Sequence, residues 1–277
     1  MTGAGSDRRT AALGNRRAYR SRHALACVLV LAAAAAAATA AADVTVGARV
    51  GRGDYSGSLQ TPTGGQIGTA SPDRPTFSEL RLDDGPAYGF DVRGDIGDIY
   101  ALEVSMYRAR QDSTSVLASP LVFNGAMFDA GETIASEFGF DGYDVSAIAE
   151  FAAGSRTLIE VGMTYARTAF EIEIEGASQR RRRGYHINAL GVQVRGEHRL
   201  NDRLEVGMDA LLAPSYSNFH EWYRIEPFIG YAIDDRWEVR LLVTLDWIDY
   251  DDAHKQTLPN HLDFERVTAS AELRYSW

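Results

Sequence analysis

Four consecutive arginines, Arg180, Arg181, Arg182 and Arg183, stand out in a chain that is otherwise acidic, with 28 Lys and Arg against 38 Asp and Glu. Guanidinium is planar and always charged, so such a run suits bidentate pairing with phosphate groups. The plainer reading is a hydrated charge run that keeps a surface hairpin soluble. A second set of charges is dispersed: Arg93, Glu103, Glu150, Glu160, Arg195, Glu197, Glu205, Asp209, Arg224, Glu226, Glu238, Arg240, Arg266, Glu272 and Arg274. Each occupies an alternate position in a segment whose other positions are apolar, and acids interleave with bases. That pattern is the chemistry of mutual neutralisation inside an enclosed space. No set of His, Asp and Glu has metal-ligand spacing, and no metal or other cofactor is expected.

The elements that must carry these charges are strands. Between Trp237 and Trp247 the odd positions Trp237, Val239, Leu241, Val243, Leu245 and Trp247 are apolar, while Glu238, Arg240, Thr244 and Asp246 are polar. Ten residues rising roughly 3.3 Å each and tilted by about 40° set the two tryptophans about 25 Å apart along a membrane normal, the height of the apolar band of an outer-membrane barrel. The same alternation recurs from Val44, Tyr88, Tyr100, Tyr143, Ile159, Leu190, Leu204, Tyr223 and Val267, which makes ten strands. Tight turns at Gly94 to Asp98, Ala153 to Arg156, Asn201-Asp202 and Asp234 to Arg236 alternate with longer stretches, two of them approaching thirty residues: Tyr55 to Gly85 and Gln111 to Gly139. Within the first, Ser71 to Leu80 holds prolines, an aromatic residue and a single helical turn, and reads as an ordered lid over the mouth.

Ahead of the strands, Arg8, Arg9, Arg16, Arg17, Arg20 and Arg22 precede an apolar run from Ala24 to Ala38 and the small residues Ala40-Ala41-Ala42. Residues 1–42 are therefore expected to be a cleaved secretory signal peptide, leaving 43–277 as one domain. About fifteen apolar residues fall short of the roughly twenty that span a bilayer as a helix. Arg16-Arg17 lacks the flanks of a twin-arginine signal, and Cys27 sits too early for a lipoprotein site. Without the leader the balance is 22 basic against 37 acidic residues, a net of −15. Such acidity argues against a nucleic-acid partner.

Alternation is also found in soluble lipocalin- and streptavidin-type barrels. The charges favour a membrane barrel, because the polar face is charge-compensated at matching depths while the apolar face carries no charge. Trp237, Trp247, Tyr275 and Trp277 supply an aromatic girdle. The expected fold is all-β: a ten-stranded antiparallel up-and-down transmembrane β-barrel with short periplasmic turns and long external loops.

The chain at this point resembles bacterial outer-membrane β-barrels. Its last strand, Val267 to Trp277, alternates apolar residues and ends on an aromatic one, like the terminal segment read by the barrel-assembly machinery in that family, where Phe is the commoner ending. OmpA-like barrels have eight strands and omptin-like ones ten. The omptin resemblance implies surface proteolysis by an Asp-x-His pair facing an Asp pair across the mouth. Asp252-Ala253-His254 has the first spacing, but in a different loop and with no Asp pair opposite. A likeness to lipid A-modifying barrels would need a His near a Ser or carboxylate at the outer interface, with His186, His220 and His254 in position. The leading expectation is a non-enzymatic protein of the Gram-negative outer membrane, its lumen plugged by charge. Its loops would meet lipopolysaccharide through Arg180 to Arg183 or bind surface partners. A narrow porin-like channel is the alternative and a surface hydrolase the third reading.

Overall fold

The structure is a computed structural model that describes residues 43–61, 73–214, 221–251 and 261–277. The leader, Asp252, His254 and His220 lie outside the described residues. Ten strands form a closed wall: β1 (Val44–Gln60), β2 (Asp84–Ile96), β3 (Tyr100–Val116), β6 (Thr133–Ala152), β7 (Thr157–Glu175), β8 (Arg180–Arg199), β9 (Leu204–Ala213), β10 (Glu221–Ala232), β11 (Trp237–Asp251) and β12 (His261–Ser276). Two more, β4 (Leu121–Phe123) and β5 (Ala126–Phe128), make a separate hairpin above it. Each wall strand pairs antiparallel with its neighbours, and β1 closes on β12 from Thr45↔Ser276 to Gln60↔His261. Closure leaves no unpaired edge at membrane depth, where an unsatisfied N–H or C=O costs several kcal/mol.

Several strands run well past the limits expected from the apolar alternation. β1 continues to Gln60, β3 to Val116 and β7 to Glu175, while β6 starts at Thr133. The reason is a reversal of phase. Within the apolar band the outward residues are greasy and the inward ones polar, as in Tyr143, Val145 and Ala147 of β6 against Asp144 and Ser146. Above it, Phe138 and Phe140 of the same strand point inward and are buried, while Glu137 faces out. In β12 the inward Leu262 and Phe264 give way to Arg266 and Thr268 in the same manner. The upper interior is thus an ordinary protein core rising above the membrane.

That core takes in the lid. Thr76 and Glu79 form a capping box: Thr76 N–H donates to Glu79 Oε2 (2.8 Å), and Glu79 N–H donates to Thr76 Oγ1 (3.1 Å). The turn this fixes inserts Phe77, Leu80 and Leu82, each 0% exposed, among the wall's aromatic residues. The Phe77 ring lies 5.1 Å from Phe138 at 84° and 5.5 Å from Phe264. The β4–β5 hairpin closes through Asn124-Gly125, both at positive φ (44° and 78°), the pairing that a two-residue hairpin turn requires. It is tied down by Asn124 N–H to Thr61 Oγ1 (2.9 Å) and Asn124 Nδ2 to the Arg182 carbonyl (3.0 Å).

Tyr107 forms the floor of this aromatic layer. Its ring stacks on Phe140 (5.1 Å) and lies flat over Gly142 of the adjoining strand, and its hydroxyl bonds Thr168 Oγ1 (2.5 Å). A Cβ at Gly142 would stand 2.1 Å from that ring. Gly142→Ala is expected to cost about 1–3 kcal/mol by overpacking. The measurement is the temperature at which heat-modifiable gel migration is lost, and an unshifted value would refute the packing role.

Candidate functional site

Below the aromatic floor the lumen is ionic. Arg195 of β8 reaches across two intervening strands to Glu103 of β3, its Nη1 and Nη2 donating to the two carboxylate oxygens at 2.9 and 3.0 Å; it also meets Asp209 (2.8 Å) and Glu160 (3.3 Å). Arg93 engages Glu160 (2.7 Å), Asp95 (2.9 Å) and Glu150. Higher up, Arg224 of β10 bridges to Asp144 of β6 (2.5 Å) and to Asp246 (2.9 Å), which also accepts from Arg266 (2.7 Å) and from the Trp222 indole (2.9 Å). Arg240 gathers Glu205 (2.6 Å), Glu238 (2.8 Å) and Glu197 (3.4 Å), and Arg274 approaches Glu238 (3.6 Å). Arg49 holds Glu226 (3.0 Å) and stands 3.8 Å from Glu272. Several of these contacts, among them Arg195 to Glu103, Arg224 to Asp144, Arg93 to Glu160 and Arg49 to Glu226, join strands that are not neighbours, so the guanidiniums plug the bore rather than line it.

All fifteen charges singled out in the sequence face this interior and make at least one ion pair. Five others outside that set join the network: Arg49, Asp91, Asp95, Asp144 and Asp246, the last already on the polar face of its strand in the sequence. Four of the fifteen share a local signal, which the missed aspartates lack. Each strand after a short turn repeats an aliphatic or aromatic residue, then Glu-Val: Leu102-Glu103-Val104, Ile159-Glu160-Val161, Leu204-Glu205-Val206 and Trp237-Glu238-Val239. This sets one inward carboxylate at the same place in every hairpin. Glycine makes room where carboxylates converge: a Cβ on Gly47 would lie 2.4 Å from Asp91 and 2.6 Å from Glu272, and one on Gly230 would lie 2.2 Å from Glu238.

The Arg180 to Arg183 run is not at a loop tip. It opens β8 and is laddered against β7, Arg180↔Glu175 to Arg183↔Ile172. Alternation splits it. Arg180 and Arg182 lie on the outer face, where Arg180 pairs with Glu173 and with Glu175 (3.6 Å) and Arg182 pairs with Glu171. On the opposite face Arg183 lies over the Tyr185 ring at 5.8 Å. The sequence reading overlooked Glu171, Glu173 and Glu175, whose alternation above the band is of reversed phase.

The girdle residues face outward at both ends of the band. Trp237, Tyr275 and Trp277 form one cluster, with ring separations of 4.7 and 5.7 Å, and Trp247 sits opposite Tyr223 at the other end. Near the first cluster two turns share a geometry. Asn201 Oδ1 accepts from Arg203 and Leu204 N–H (both 2.9 Å), and Asp234 Oδ1 from Arg236 and Trp237 N–H (both 2.8 Å). Those two N–H donors hold the exposed Asp234 carboxyl below its ordinary range. Its contribution is therefore complete above the unfolded value of about 4 and is lost as pH falls through the lower folded value. Asp234→Asn should keep the turn, as Asn201 does, and remove this acid dependence. Melting curves of both proteins across the acid range test this; parallel curves would refute it. Among the described residues no group of His, Cys, Asp and Glu is disposed to hold a metal.

Comparison with known proteins places this geometry. The family model described as outer membrane protein beta-barrel domain matches residues 23–275. Among solved structures, the outer membrane protease OmpT from Escherichia coli superimposes with a TM-score of 0.55 at 8% identity, over 84% of this chain and 97% of that one. Neisserial surface protein A gives 0.38 at 11% identity, over 84% and 96%, and the translocator domain of the autotransporter NalP from Neisseria meningitidis 0.43 at 9%, over 92% and 97%. At 8% identity the likeness to OmpT is one of fold alone. No curated protein sequence matches this chain.

Proposed function

This chain belongs to the outer membrane protein β-barrel domain family, and from that premise we propose that it is a closed, non-enzymatic barrel of the Gram-negative outer membrane whose external surface binds lipopolysaccharide or a surface partner. Its wall would also contribute structurally to the envelope. The observation that carries this reading is the double closure of the interior: cross-lumen guanidinium bridges below and a lid-filled aromatic core above. A bore blocked twice by different chemistry leaves the outer surface as the place for recognition. The closing strand β12, with outward Val267, Leu273 and Tyr275, together with Trp277 directly after it, is the segment proposed to be handed to the barrel-assembly machinery.

Planar-bilayer recordings on refolded protein are expected to show no stepwise conductance, together with saturable lipopolysaccharide binding in detergent. Steady unitary currents would instead favour a narrow channel. One observation speaks for that second reading: within the ionic layer itself, among Glu103, Asp144, Arg195 and Arg224, lies a cavity of ≈ 70 Å³ that also meets Ser105, Ser146, Thr164, Thr244 and Ser270. Cleavage of peptides or lipid A that disappears in His254→Ala would point to a surface hydrolase working through Asp252 and His254.

A further inference from the structure

Above the apolar band the outer wall is charged unevenly around its circumference. The first polar outward residue is a cation on β1, β3 and β7 (Arg52, Arg108, Arg167) and an acid on β10, β11 and β12 (Glu221, Asp249, Glu265). On the cationic side Arg52 is matched by Asp84, and Arg180 and Arg182 by the glutamates of β7. What remains nearest the bilayer is a group in which Asp141 is the one carboxylate among three guanidiniums, with the outward Asp112 and Glu137 facing each other one step further out. Arg108 Nε donates to Asp141 Oδ1 (2.7 Å) and Arg110 Nη2 to Asp141 Oδ2 (2.6 Å), while the arginines stay 54% and 44% exposed. Arg167 faces Tyr143 across the β6–β7 ladder, diagonal to Asp141 and within reach of it. No described carboxylate is within ion-pair distance of Arg167. Directly beneath, Tyr143 and Tyr165 pack at 6.4 Å, and the Tyr165 hydroxyl donates to Asn188 Oδ1 (3.1 Å). Below the tyrosines the wall is Met106, Val145 and Met163, bare to acyl chains.

The order from the bilayer outward is therefore apolar wall, tyrosine pair, cation cluster. It matches a lipid with acyl chains, a sugar and a phosphate in that sequence, since tyrosine settles at headgroup depth and guanidinium binds phosphate bidentately. We infer that Arg108, Arg110 and Arg167 clasp the phosphate of a phosphorylated glycolipid in the outer leaflet, with Asp141 holding the first two in place until the phosphate arrives. This rests on the proposal that the outer surface binds lipopolysaccharide, and moves the contact from Arg180 to Arg183 to this site.

Binding of lipopolysaccharide, phosphatase-treated lipopolysaccharide and inorganic phosphate is measured for the full chain in detergent, with heat-modifiable migration confirming that each variant is folded. The triple variant Arg108→Gln, Arg110→Gln, Arg167→Gln should bind intact lipopolysaccharide about tenfold more weakly, as expected for the loss of one or two charge-assisted hydrogen bonds. It should bind the dephosphorylated lipid as the unaltered protein does. Asp141→Asn frees both arginines from their carboxylate and should tighten binding. Unchanged affinity in the triple variant, or loss confined to a variant with Arg180 to Arg183 replaced by Gln, would overturn the clasp while leaving lipopolysaccharide binding intact. Inorganic phosphate binding as tightly as the lipid would overturn the lipid as the source of the anion. If the unaltered protein binds no lipopolysaccharide, the broader proposal fails as well.

Discussion

Arg195→Gln is expected to lower stability by about 3–5 kcal/mol, the usual cost of removing one partner from a buried ionic group and leaving the others uncompensated. Arg195 is the shared donor for Glu103, Asp209 and Glu160, and its side chain and theirs are 3–14% exposed. Glutamine is shorter and neutral, so Glu103 and Asp209 lose their guanidinium while Glu160 keeps only Arg93. The size of the effect comes from that residue of charge and not from any large net gain in forming the pairs, since buried ion pairs roughly break even against apolar isosteres. A useful control follows. Arg195→Met combined with Glu103→Leu removes donor and acceptor together and should cost distinctly less than Arg195→Gln alone. Urea midpoints in detergent report both, and equal midpoints for Arg195→Gln and the unaltered chain would show that the lumen network is slack.

Phe77→Ala is the second large effect, about 3–5 kcal/mol for truncating a fully buried phenylalanine that has aromatic neighbours on two wall strands. Its consequence is more local. The Thr76–Glu79 capping box shapes the lid and Phe77 is its largest anchor, beside Leu80 and Leu82, so without the ring the turn should loosen while the wall persists. Proteolysis within residues 73–83 should accelerate while heat-modifiable migration is retained. Conductance should stay closed, because the ionic plug below is untouched. Phe77→Ala combined with Arg195→Gln and Arg224→Gln should be the first variant to pass current, as each plug alone suffices to block the bore. Current through Phe77→Ala alone would place the whole barrier in the lid.

How much of this was legible without a fold depends on which solvent a side chain meets. In the bilayer the requirement is local and strict: every outward residue must tolerate hydrocarbon, so apolar residues recur at every second position and the sequence alone determined the strand identities, their order, the count of ten, the lipid face from Trp237 to Trp247 and the inward placement of all fifteen charges. It could not say which charges meet, because a strand's period specifies a face and not the wall opposite. Arg195 finds Glu103, 92 positions away, only through the closed circuit of hydrogen-bonded neighbours. The upper interior was misjudged as loop for a related reason. Once the wall rises out of the lipid its outside is water, the alternation changes phase, and Phe138, Phe170, Phe264 and the glutamates of β7 lose the register that identified the strands below. The same reversal assigned Arg180 to Arg183 to a loop, when Glu171, Glu173 and Glu175 already stood beside them. What only the tertiary structure decided is therefore the pairing inside the bore, the lid that fills its mouth, and the Arg108, Arg110 and Arg167 cluster. Each depends on residues from separate strands meeting in space, and separation along the chain carries no information about that distance.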